Sequence, residues 1–260
     1  MKTLPALRFR LLFIVSVALP SVVVAADLAH FKGFDDPLRG FRSLFNGQDL
    51  AGWLVPEGDN GHWKVVNGVI DYDAQSESSG SKNLKTEKSY RDFILRLDWR
   101  LKQTTGLYQV PVVLPDGTHQ LDADGKEIKV PLPNADSGVF VRGASKAQVN
   151  IWCWPIGSGE IYGYRMDKNM PPEVRAGVTP LVRADRPVGE WNTFEIVMRG
   201  DRLTVVLNGR IVIANAHLPG VPDRGPIELQ HHGGKNARTG EFSPASSLIQ
   251  FRNIYIRELR

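Results

Sequence analysis

The sequence predicts an all-β protein, a sandwich of two antiparallel sheets of short strands, and three observations carry that prediction. Apolar residues recur mostly with period two, which puts alternate side chains on one face of a strand. Turn dipeptides punctuate the chain, among them Asn67-Gly68, Asp116-Gly117, Asp124-Gly125, Gly200-Asp201 and Asn208-Gly209. No long run carries the period of an amphipathic helix.

Residues 1–26 read as an export signal. Lys2, Arg8 and Arg10 open it, Leu11 to Val24 is apolar around Pro20, and Val23-Val24-Ala25 or Val24-Ala25-Ala26 offers a small-residue cleavage site. The apolar run is short and interrupted for a membrane span of about 20 residues. The expectation is a protein delivered to the periplasm or outside the cell, with no span left once the signal is removed. Residues 27–40 read as an irregular lead-in and 41–260 as one domain, a size that all-β sandwiches reach.

The full chain has 32 Lys and Arg against 28 Asp and Glu; without Lys2, Arg8 and Arg10 the balance is 29 against 28, a net charge of +1. The basicity belongs to the signal, and no block of Lys and Arg suited to nucleic acid remains. A single cysteine, Cys153, excludes an internal disulfide framework, and its place in the strand pattern makes it a buried thiol.

Within the domain, Phe41–Trp53 joins an apolar strand to the Asn46-Gly47 turn, and Trp63–Asp71 is a hairpin about Asn67-Gly68. In Tyr90–Leu101, Leu95, Leu97, Trp99 and Leu101 face the core while Arg96, Asp98 and Arg100 face away. Residues 103–133 form an excursion of one or two hairpins, a length that often builds a site wall or a partner surface. Its DADGKE run lacks the ligand spacing of a calcium loop and reads as a turn. Pro171–Arg175 holds one helical turn. Gly189–Gly209 is a hairpin with Phe194, Ile196, Met198, Leu203, Val205 and Leu207 inward. Ile249–Leu259 closes the fold against a strand near Phe41–Phe45.

Two stretches carry chemistry. In Gln148–Trp154, Val149, Ile151 and Cys153 take one side, and Gln148, Asn150, Trp152 and Trp154 the other. Amides pair with hydroxyls and indoles offer flat apolar platforms, which together suit a sugar; the same indoles also fit a core under a covering loop. The strand before it, Ser137–Gly143, pairs antiparallel through a short GASKA connection and brings Arg142, a rigid fork of donors, to the same row. In Gly225–Gly234, Glu228, Gln230 and His232 share a face in steps of about 7 Å. His231 falls on the core side or at the strand end. His232 is a base or metal ligand near neutral pH, or a hydrogen-bonded structural group.

The segments LFNGQDLAGW, WKVVNGVID, DFILRLDWRL, NADSGVFVRG, GEWNTFEIVMRGDRLTVVLNG, GPIELQHHG and IQFRNIYIREL, in that order, resemble the 3-keto-disaccharide hydrolase domain family (DUF1080) over Phe41 to Leu259. The resemblance implies a concanavalin A-like jelly roll with one concave ligand face. It also implies cleavage of glycosides oxidised at C3: a base removes the C2 hydrogen, the aglycone leaves C1 by elimination, and water adds. That chemistry needs one base and a stabiliser for the enolate, either a divalent metal or a positive donor. It casts His232 as base or ligand, Glu228 as its partner or an alternative base, and Arg142 as the oxyanion donor. Gln148, Asn150, Trp152, Trp154, Gln230 and Tyr162 would hold the sugar.

The chain also departs from the family pattern. Where many members read E-V-Q-I-x-D, it has Gln148-Val149-Asn150-Ile151-Trp152-Cys153, and where many read Q-D-H-G it has Gln230-His231-His232-Gly233. A metal would then fall to His231, His232 and Glu160. Two classes stay open: a 3-keto-glycoside hydrolase or lyase, and a non-catalytic sugar-binding module.

Overall fold

The computed structural model describes residues 38–74, 82–243 and 245–260. The export signal and most of the lead-in lie outside them. No helix among the described residues is long and apolar enough to cross a membrane.

Fifteen strands and two short helices are described. The larger sheet holds β3 (Trp63–Val66), β4 (Val69–Tyr72), β6 (Phe93–Leu101), β11 (Asn192–Arg199), β12 (Arg202–Leu207), β13 (Arg210–His217) and β15 (Ile249–Glu258), in the order 13-12-11-6-15-4-3; β1 (Arg42–Ser43) also pairs with β15. The second sheet runs β10 (Gln148–Trp152), β9 (Asp136–Phe140), β14 (Gly225–Leu229), β5 (Leu84–Tyr90), β2 (Trp53–Leu54). A separate hairpin joins β7 (Leu107–Pro111) to β8 (Lys129–Pro133). Every pairing is antiparallel, as the alternation predicts for an all-β sandwich. Between β10 and β11 lie α1 (Tyr162–Arg165) and α2 (Pro172–Gly177), the latter with proline where its missing N–H costs nothing.

The two sheets meet through one apolar layer. Leu95, Leu97, Phe194, Ile196, Met198, Leu203, Val205 and Leu207 from one side, and Val139, Val149, Ile151, Ile227 and Leu229 from the other, belong to a single buried cluster. These are the residues the period-two pattern turns inward. Asn67 and Gly68 both take positive φ, as do Asn208 and Gly209; such turns match the twist of the flanking strands. The C-terminal strand pairs with the N-terminal one in the register Arg42 to Ile256.

Arg142 departs from its expected place. Its φ is +54°, so the chain leaves the strand alternation there and the side chain swings to one end of the sandwich. The buried guanidinium donates to the carbonyls of Arg91, Gly200 and Pro222 and to the Asp92 carboxylate at 2.9 Å. It ties three turns together and does not join a sugar site. Arg142→Ala removes the side-chain donor of three carbonyls and the cation paired with Asp92, which keeps the Gly200 N–H. The expected loss is about 3 kcal/mol, a fall in melting midpoint of roughly 6–12 °C for a domain of this size. Calorimetry checks it, with ligand binding per folded molecule unchanged.

Candidate active site

The outer face of the smaller sheet is built by three strands in register. Trp152 lies opposite Asp136, Asn150 opposite Gly138, and Gln148 opposite Phe140. Glu228 pairs with Phe140, and the Gln230 amide donates to the Gly138 carbonyl. Alternation then puts Asp136, Gln148, Asn150, Trp152, Glu228 and Gln230 on one surface.

Each residue singled out from sequence has a definite place there. Gln148 crosses over Gly138 to donate to Gln230 Oε1 at 2.5 Å. A Cβ at position 138 would come within 2.5 Å of that amide, so glycine opens the path. Trp152 is buried, and its N–H donates to the Gly157 carbonyl at 2.7 Å. Trp154 stacks on it at 4.1 Å with the planes 3° apart, so Trp152 is a backing and not a platform. Tyr162 meets both indoles edge-on at 5.9 and 6.3 Å and is partly exposed. Glu228 is buried, accepting from Asn83 at 2.9 Å and paired with Lys85 at 3.3 Å. Its carboxylate is held by these two residues and His232 lies beyond the end of β14, so Glu228 is not that histidine's partner.

His232 faces Asp136 instead. Its backbone N–H donates to Ser247 Oγ, and that hydroxyl donates to the Asp136 carbonyl at 2.9 Å. Its Nδ1–H donates to the Ala245 carbonyl at 2.7 Å, which leaves Nε2 as the free ring nitrogen. Nε2 sits 3.8 Å from Asp136 Oδ2. Burial pushes the Asp136 carboxyl up to about 6, with the histidine pulling the other way. Its Oδ1 is buried with no hydrogen-bond partner. The strand pattern read from sequence starts at Ser137 and leaves Asp136 out. The alternation that places Phe140 outward, carried four residues back, points straight at it.

Behind this pair lies a second buried acid. Glu160 and Arg165 are both fully buried and hydrogen-bonded to each other. Burial holds Glu160 well above the usual carboxylate range, up to about 7. Glu160 Oε2, Asn150 Oδ1, Asn134 Nδ2 and Arg165 Nη2 are buried without partners. Arg165 also donates to His119 Nε2 at 3.0 Å, and His119 Nδ1–H donates to Glu127 at 2.7 Å. The 103–133 excursion is anchored to the site through that chain.

The metal candidates do not assemble. His231 Nδ1 accepts from the Tyr72 hydroxyl at 2.6 Å, and burial holds this histidine down at about 4. Glu160 is taken by Arg165. No group of three or more His, Cys, Asp or Glu side chains among the described residues is placed to hold a metal ion.

Residues 40–257 match the 3-keto-alpha-glucoside-1,2-lyase-like domain. The chain belongs to that family. Membership makes this a glycosyl-hydrolase-like, carbohydrate-active domain. The fold is similar to that of a candidate glycosyl hydrolase from Parabacteroides distasonis, 23% identical with a TM-score of 0.53, covering 85% of this chain and 84% of that one. It is more distantly similar to a carbohydrate-binding module from Bacillus subtilis, 15% identical with a TM-score of 0.41 over 80% of this chain and 96% of that one. The β-glucanase of Bacillus licheniformis is 10% identical with a TM-score of 0.43 over 85% and 97%. At these identities the likeness is one of fold. A comparison with curated proteins finds no match.

An acid raised to about 6 disfavours the folded state once it ionises. The cost is absent below the unfolded value near 4 and complete above 6. Asp136→Asn, which mimics the protonated acid, is therefore expected to stabilise the fold at pH 8 by on the order of 1–3 kcal/mol. The gain shrinks to nothing by pH 4, and melting curves across that range check it.

Proposed function

We propose that this member of the family is an exported enzyme that cleaves 3-keto-glycosides by elimination, and that the Asp136–His232 pair supplies the base. The observation behind this reading is the pair itself: a half-buried carboxyl raised to about 6, facing an imidazole whose Nε2 is left free by the Ala245 carbonyl. A base titrating near 6 is ionised at neutral pH yet basic enough to take an activated proton.

A ketone at C3 acidifies the C2 hydrogen. The pair takes that proton, the C2–H electrons become the C1=C2 double bond, and the C1–O bond breaks to expel the aglycone. Water then adds across the double bond. No second carboxylate at glycosidase spacing is needed. Trp154 and Tyr162 offer exposed ring surface to a sugar, and Gln148 and Gln230 offer amides. Arg142 is too far away to meet the enolate.

Purified protein assayed on a 3-keto-glucoside tests this. Asp136→Asn and His232→Ala are each expected to lower kcat by about 10²–10⁴-fold with folding intact. The acid limb of kcat/KM is expected near pH 6, not near 4, because protonating the pair removes the base. Full activity in Asp136→Asn overturns the assignment. Sugar binding with no turnover of any 3-keto-glycoside leaves a carbohydrate-binding module.

A further inference from the structure

The 103–133 excursion rises directly beside the Asp136–His232 pair. Two backbone hydrogen bonds close its base, from the Thr105 amide to the Asn134 carbonyl at 3.0 Å and from the Asn134 amide to the Gly106 carbonyl at 2.9 Å. β8 ends at Pro133 and β9 begins at Asp136, so the hairpin runs straight into the strand that carries the acid. Register sets Tyr108 opposite Leu132 and Val110 opposite Val130, and these four share one face of the hairpin. That face carries no charge and no amide. Tyr108 is 47% exposed and Leu132 is half-buried. Burial holds the Tyr162 hydroxyl above its ordinary value, and Tyr108 and Asp136 are both near enough to push the same way, so Tyr162 bridges from the acid to the hairpin. At the far end, Arg165 donates to the Gly117 carbonyl and to His119, which holds the hairpin in place.

We propose that the Tyr108–Leu132 face is the wall of the leaving-group subsite, and that the aglycone it takes is an arylalkyl or aromatic group and not a second sugar. The proposal rests on the elimination reading, which puts the sugar's C1 and C2 at Asp136. Leu132 and Asp136 are four residues apart, at most about 14 Å of chain, a span that an arylalkyl group on the glycosidic oxygen can cross. Pro131 and Pro133 have no N–H, so β8 is poor in donors. A second sugar would set its hydroxyls against a wall with little to pair them, whereas an apolar ring buries against Tyr108 and Leu132. Exposed apolar surface gathered beside a reactive acid is the kind that marks a ligand.

The test compares the 3-keto-glucosides of 2-phenylethanol and of methanol, each as both anomers. The two alcohols leave with similar difficulty, so a difference reads contact and not leaving-group acidity. The ratio of kcat/KM, phenylethyl over methyl, is expected to be at least about tenfold and to come from KM. Tyr108→Ser should cut that ratio by about three- to tenfold. Leu107→Ser, an equally polar change at an exposed residue on the opposite face of the same strand, should leave the ratio where it was. A ratio near one, or an equal fall in the two variants, overturns the proposal. If neither ketone is turned over, the elimination reading falls, and calorimetry with the same two compounds decides this one. Tighter binding of the phenylethyl compound by about tenfold, weakened in Tyr108→Ser, supports the wall. Equal affinities, no binding of either compound, or a preference that survives Tyr108→Ser overturns it.

Discussion

The arrangement depends on one carboxylate held where it is uncomfortable. Asp136 opens β9 on the outer face of the smaller sheet, with one oxygen buried and unpartnered and the other 3.8 Å from His232 Nε2. Burial disfavours its charge and the histidine restores part of it. Ser247 makes this encounter a matter of backbone. It binds the His232 amide and the Asp136 carbonyl with the same hydroxyl, so the two side chains are fixed by the run into β15 and by the start of β9. Groups left under such tension are the ones a fold keeps for chemistry more often than for stability.

The tension is not local to Asp136. Glu160 is fully buried behind it and is held by Arg165, which reaches on to His119 and Glu127 in the hairpin excursion. The acceptor role of His119 Nε2 toward a permanent cation fixes its tautomer, with Nδ1–H on Glu127. The hairpin is therefore not an ornament on the sandwich. Its position is tied by hydrogen bonds to the buried acid beneath the candidate site, and Tyr162, seated over Arg165 at 5.5 Å, packs into the same assembly. A chain of partly satisfied buried polar groups is expensive in an ordinary core. Here five such groups, Asn134, Asp136, Asn150, Glu160 and Arg165, lie within the stretch 134–165.

Most of the architecture was legible because it rests on period two and on turn chemistry, both local. The site was legible in part. Gln148 and Gln230 meet because antiparallel pairing sets β10 and β14 on either side of β9, whereas Trp154, Tyr162 and His232 lie beyond the strand ends. Arg142 was misplaced because a single residue with φ of +54° cancels the alternation, and nothing in its own neighbourhood signals partners 50 to 80 positions away. Glu228 keeps its predicted face but is claimed by Asn83 and Lys85, contacts that only the sheet order reveals. His231 and His232 are adjacent yet divide the labour. One is locked neutral against Tyr72 in the interior and the other is turned to Asp136. Their separation follows from β14 ending at Leu229, beyond which the strand rule no longer chooses faces.

Trp152 shows why a residue type that suits sugar can serve without touching it. With its N–H given to Gly157 and one face covered by Trp154, it has no free donor and no second open platform for the main site. It nonetheless holds Trp154 flat and keeps Tyr162 edge-on, so the exposed rings inherit their orientation from a buried one. A close-packed ring of this size cannot shift toward one neighbour without leaving a void against the other. Displacing Trp152 must therefore be felt at Trp154, whose orientation depends on the buried ring staying packed on both sides.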